Sequence, residues 1–65
     1  MIQVNGQEEV WKENLTIQDY ISLHGYRTNR IAVEKNGTIV PKRYYADILL
    51  EDGDQIEIVS FVGGG

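Results

Sequence analysis

Two Asn-Gly dipeptides, Asn5-Gly6 and Asn36-Gly37, each sit between short segments in which apolar and polar residues alternate. A two-residue hairpin turn of this kind needs positive φ at both positions. Asparagine and glycine tolerate that and most residues resist it, so each dipeptide predicts a tight β-hairpin. Ile2 and Val4 alternate with Gln3 into the first turn, and the returning strand is expected over about Gln7 to Trp11. A tight register puts Glu9 and Trp11 on the face of Ile2 and Val4, whereas a bulge would bring Val10 inward; the residues leave both open. Around the second turn, Ile31 to Lys35 alternates as a strand and Thr38 to Val40 returns. Pro41 closes that return because it has no N–H for a ladder.

Between the hairpins, Thr16-Ile17-Gln18-Asp19 has the form of a capping box, in which a hydroxyl and a carboxylate each accept a free backbone N–H. Ile17, Tyr20, Ile21 and His24 then recur at the i, i+3, i+4, i+7 spacing of one helical face, and Gly25 stands where a left-handed C′ residue belongs. The expectation is a helix ending near His24, with His24 partly buried by packing rather than acting as a ligand. Lys42 to Leu50 reads as irregular structure with one helical turn, packing Tyr44 or Tyr45 with Ile48 and Leu50. Asp52-Gly53-Asp54 is a turn, and Gln55 to Phe61 is the last strand. Its Ile56 and Ile58 alternate toward the core, so Glu57, Val59 and Phe61 project from the other side.

The order strand, strand, helix, strand, strand, strand suits an α+β domain of two layers, a mixed sheet of four to five strands with one helix across one face. A parallel pairing of the first and last strands needs a long crossover, which this chain has. That layout is the architecture of a β-grasp domain. At 65 residues there is room for one modest core. The division expected is a domain over residues 1–62 and a flexible glycine tail over residues 63–65.

The chain has no cysteine and one histidine, so disulfides, thiolate metal sites and cysteine nucleophiles are excluded. Net charge −4 repels phosphate backbones and anionic lipid, which argues against nucleic acid or a membrane surface as partner. No apolar run approaches the roughly 20 residues that span a bilayer, and no signal-peptide pattern opens the sequence, so the expected location is cytoplasmic. The acidic residues Glu51, Asp52, Asp54 and Glu57 are expected to surround an apolar patch at Val59 and Phe61 and to steer a basic partner. Whether Val59 and Phe61 are covered by the domain or face a partner stays open at this level.

Three segments in order carry a family resemblance: Ile31-Ala32-Val33-Glu34 with Asn36-Gly37-Thr38-Ile39-Val40-Pro41, then Leu50-Glu51-Asp52-Gly53-Asp54-Gln55-Ile56-Glu57-Ile58-Val59, then Val62-Gly63-Gly64-Gly65. Together they resemble the ThiS family, bacterial ubiquitin-like sulfur carriers of thiamine biosynthesis. His24, where that family more often has leucine, and Lys42-Arg43-Tyr44-Tyr45 after Pro41 depart from its pattern. The resemblance implies a carrier and co-substrate with no catalytic residues and no bound cofactor. In it the Gly65 carboxylate is adenylated with ATP by a ubiquitin-activating-type enzyme, and the acyl-adenylate takes sulfur from a cysteine desulfurase-derived persulfide. The resulting thiocarboxylate donates sulfur to thiazole synthase. Gly63 and Gly64 would thread into partner active sites, and Glu57, Val59, Phe61 and Val62 would form the docking surface. A carrier serving molybdopterin or tRNA thiolation, or a β-grasp binding module that makes no chemical use of the tail, is the alternative.

The chemistry is consistent with the residues. A terminal carboxyl, pKa about 3.3–3.7, is ionised at neutral pH and a poor electrophile until a leaving group is attached. Without cysteine, sulfur has no thiol on the chain to rest on. Three extended glycines reach about 10 Å and pass a narrow channel that a Cβ would obstruct.

Overall fold

The computed structural model describes residues 1–61 of the chain. Both Asn-Gly turns form as the dipeptides require, with φ of 52° and 80° at Asn5 and Gly6 and of 52° and 84° at Asn36 and Gly37. The first joins β1 (Ile2–Val4) to β2 (Gln7–Glu9), and the second joins β3 (Ile31–Lys35) to β4 (Thr38–Val40). With β5 (Gln55–Ser60) between them, the hairpins form a five-stranded sheet in the order β2-β1-β5-β3-β4. β1 and β5 are parallel, with Gln3 beside Gln55 and Val4 beside Ile56, while every other pairing is antiparallel.

The helix α1 (Ile17–Leu23) starts at the expected box: the Asp19 N–H donates to Thr16 Oγ1 and the Thr16 N–H to Asp19 Oδ2, both at 3.0 Å. It ends in a Schellman arrangement. Tyr26 N–H donates to the Ile21 carbonyl and Gly25 N–H to that of Ser22, with Gly25 at φ 74°. Seven residues are too few to be helical alone, for isolated helices under about 12–15 residues are marginal in water. Tertiary burial therefore supplies the stability. Ile17, Tyr20 and Ile21 pack against Ile2, Val4, Ile31, Val33, Val40, Ile56 and Ile58, and each fully buried aliphatic side chain contributes about 1.5–3 kcal/mol of transfer free energy.

The long segment from Pro41 to Asp54 closes the open end of this core. Tyr45 and Leu50 are buried and Tyr44 is exposed, which settles the choice between the two tyrosines. Backbone N–H groups of Ile17 and Gln18 donate to the carbonyls of Ile48 and Tyr45, so the loop satisfies free donors at the start of α1.

Two expectations are corrected. β2 ends at Glu9, short of Trp11, and it carries no bulge: Ile2 pairs with Glu9, Gln3 with Glu8 and Val4 with Gln7, leaving Val10 73% exposed. Glu9 takes the inward position because the Tyr20 hydroxyl donates to its carboxylate at 2.8 Å. Trp11 packs at the margin of the core instead, its indole N–H donating to the Leu50 carbonyl at 2.9 Å. His24, expected to be partly buried, is exposed. As the C-cap it lies past the last turn of α1, stacked on Tyr20 at 4.0 Å, and Tyr26 packs against the core after the chain reverses.

Candidate functional site

β5 occupies the centre of the sheet, and its alternation separates two faces. Ile56 and Ile58 are buried under α1, while Glu57, Val59 and Phe61 lie on the face that no helix covers. Val59 and Phe61 are each 55% exposed, which answers the question the residues left open. Two large apolar side chains exposed on one strand face make a candidate contact surface. Val62, Gly63, Gly64 and Gly65 lie outside the described residues, as does the boundary expected between domain and tail.

The neighbours follow from the register. Val59 stands opposite Ala32, Glu57 opposite Glu34, and Glu34 in turn opposite Ile39 on β4. Ile39 is 69% exposed. Sequence reading passed over both Glu34 and Ile39, although the second Asn-Gly turn gave the signal. A two-residue turn pairs residue 35 with 38 and 34 with 39, which puts Ile39 on the face of Glu34, away from buried Val40.

β5 is fastened along its length. Asn5 Oδ1 accepts from Ile58 N–H at 2.7 Å, Asn36 Oδ1 accepts from Gln55 N–H at 2.8 Å, and Phe61 N–H donates to the Arg30 carbonyl at 2.7 Å. Chain position is therefore held by hydrogen bonds up to the last described residue.

The acidic residues do not gather as expected. Glu51, Asp52 and Asp54 precede β5, whose six residues span about 20 Å at the 3.3 Å rise per residue of a strand, whereas Phe61 follows it. Asp54 is 4% exposed and is no steering charge. It accepts from the Glu51 N–H at 2.8 Å and from Asn36 Nδ2 at 2.9 Å, and it lies 3.3 Å from Lys35 Nζ. Burial alone would raise its pKa, but these donors outweigh burial and hold the carboxyl below the usual range. Asp52 pairs with the Met1 amino group at 2.6 Å. Of the four acids, Glu57 alone lies on the open face. Among the described residues no three His, Asp or Glu side chains cluster as metal ligands. A groove of about 210 Å³, walled by Trp11, Leu15, Tyr20 and Leu23, lies on the helical side of the sheet, away from Val59 and Phe61.

A five-stranded sheet in this order, one helix, and an exposed apolar face at the end of the central strand invite comparison with known carriers. The model of the ThiS family matches residues 1–65. This chain belongs to the ThiS family. The sulfur carrier protein ThiS of Bacillus subtilis is 42% identical over 66 residues, with both chains covered completely. A thiazole synthase from Paramagnetospirillum magneticum is 40% identical over 62 residues, which are 95% of this chain but only 19% of that protein. This ThiS chain therefore spans about a fifth of the length of that relative. Among solved structures, the thiamine biosynthesis protein ThiS of Geobacter metallireducens superposes with a TM-score of 0.80 at 27% identity, covering 98% of this chain and 97% of that one. The ubiquitin-like β-grasp is thus the fold of this ThiS protein. Among its described residues no helix is long and apolar enough to cross a membrane.

Proposed function

We propose that this chain performs its sulfur-carrier role in thiamine biosynthesis as a co-substrate, through the carboxyl group of Gly65. The observation that carries the reading is the exposed pair Val59 and Phe61 on the open face of β5, the strand that leads into Val62-Gly63-Gly64-Gly65. A ubiquitin-activating-type enzyme docks there. One oxygen of the Gly65 carboxylate attacks the α-phosphorus of ATP, pyrophosphate leaves, and an acyl-adenylate results. The terminal sulfur of a cysteine desulfurase-derived persulfide then attacks the acyl carbon and displaces AMP, and a thiol cleaves the S–S bond of the resulting acyl disulfide, leaving the thiocarboxylate and a new disulfide. Thiazole synthase accepts that sulfur.

Each residue has a limited task. Phe61 and Val59 supply contact area, because ordering three tail residues costs about 3–6 kcal/mol of backbone entropy at roughly 1–2 kcal/mol each. Val62 extends the contact, and Gly63 and Gly64 form the stem that enters the partner's site. Gly65 presents the reacting carbon. Glu57 adds charge to the docking face. Adenylation, sulfur transfer and ring formation belong to the partners, and no side chain of this protein takes part in bond making.

The test is intact mass after incubation with ATP, the adenylating enzyme and a sulfur donor. The expected product has one oxygen replaced by sulfur. Deleting Gly65, or appending one residue after it, should leave the domain folded and abolish that product. Sulfur incorporation undiminished by either change would overturn the assignment.

A further inference from the structure

Glu34 and Glu57 are direct partners across the β3–β5 ladder. The Phe61 N–H to Arg30 carbonyl and Asn36 N–H to Gln55 carbonyl bonds identify pairs 30/61 and 36/55 as hydrogen-bonded. Because such pairs alternate along an antiparallel ladder, 34/57 is hydrogen-bonded too, with Cα atoms about 5.5 Å apart and both side chains on the same open face. Like charges so placed destabilise a sheet. Neither carboxylate has an ion-pair partner among the described residues, and Lys35, the next residue along β3, is engaged by Glu51 and Asp54. Ile39, Val59 and Phe61, all exposed, lie on the same face. The surface combines uncovered apolar area with an unneutralised double negative charge at its centre.

We propose that Glu34 and Glu57 together receive an arginine side chain of thiazole synthase, whose apolar surroundings cover Ile39, Val59 and Phe61. This rests on the carrier reading. Arginine suits the geometry better than lysine: its planar fork carries five N–H donors that can reach two separate carboxylates, and its methylene stem can lie on the isoleucine and valine. The repulsion between the two glutamates is relieved when that cation arrives, so the pair favours the complex over the free carrier. Thiazole synthase is the partner of choice because the Paramagnetospirillum magneticum protein of that name contains a stretch similar to this chain within its own length. A carrier that delivers sulfur to a synthase must meet it through some surface of the domain, and the open face is the one left uncovered beside the end of β5.

The test compares the wild-type chain with the double variant Glu34→Gln/Glu57→Gln for binding to thiazole synthase across a salt series. The expected result is a Kd weaker by about tenfold or more at low salt, with a shallower salt dependence. The unfolding midpoint should match or exceed wild type, because the repulsion is gone. A control with the same change in net charge, Glu13→Gln/Asp47→Asn, should bind within about twofold of wild type. Unchanged affinity of the Glu34/Glu57 variant, equal weakening by the control, or no binding of the wild-type chain would overturn the proposal. Sulfur incorporation, read by intact mass on the same preparations, separates the two ideas. If the wild type gains sulfur while the double variant binds normally, the arginine receptor fails alone; if the wild type gains no sulfur with its adenylating enzyme, the carrier reading fails.

Discussion

Asn5 and Asn36 grip β5 from opposite sides, the first through Ile58 N–H at 2.7 Å and the second through Gln55 N–H at 2.8 Å. Each asparagine is also the left-handed first residue of its own hairpin, so one side chain both permits the turn and ties it to the central strand. These two duties can be separated. Asn5→Gly keeps the backbone freedom and loses the bond to Ile58, and it should cost about 0.5–1.5 kcal/mol. Asn5→Ala loses both and should cost about 1–2 kcal/mol more. Urea midpoints at unchanged m-value would show the difference.

Asp54 ties stability to acid. Its carboxyl is held below the ordinary range in the fold, so the unfolded chain binds the proton more readily and the native state is favoured above the unfolded pKa of about 3.9. That contribution is fully present near neutrality and disappears as pH falls through the lowered native value. Asp54→Asn should cost about 1–3 kcal/mol at pH 7 and less in acid, where the wild-type carboxyl is itself protonated. Denaturant melts at pH 7 and pH 3 would measure the convergence.

Tyr20 ties stability to alkali in the opposite sense. Burial first, and then the hydrogen bond to Glu9, push its phenol well above the usual range. The native state holds that proton more tightly than the unfolded chain does. Its contribution is therefore complete below about pH 10, the unfolded value, and is lost as pH rises through the raised native one. Tyr20→Phe should destabilise by about 0.5–1.5 kcal/mol at pH 7 and should flatten the alkaline decline of the thermal midpoint.

Phe61 follows the end of β5 and is half exposed, so Phe61→Ala should change folding stability by no more than about 0.5 kcal/mol. Binding to the adenylating enzyme should weaken by about tenfold or more, as expected for an aromatic anchor. The measurement is the apparent KM of ATP-dependent sulfur incorporation, which should rise far more than kcat falls.

Local chemistry made much of the fold readable. Positive φ at Asn-Gly, the reciprocal bonds of Thr16 and Asp19, and the alternation of Ile56 and Ile58 each depend on residues adjacent in the chain. Glu9 could not be placed from its neighbours, since its inward position depends on a hydroxyl eleven residues away on α1. Asp54 misled for a similar reason: in an acidic run it looks solvated, and only the approach of Asn36 and Lys35 buries it. His24 kept the helical spacing, but α1 ends before that spacing can bury it. On the candidate site, alternation gave the face of Val59 and Phe61 but not their exposure, and Glu34 and Ile39 required the pairing of three strands.

The parallel pairing of β1 with β5 bears on how this protein withstands use. A partner that draws on the chain beyond Phe61 pulls along the axis of β5, between β1 on one side and β3 on the other. The ladder bonds run across that axis, so the load falls on many of them at once in shear, instead of opening them one after another like a zip. β5 is thus held on both sides against a pull along its own axis.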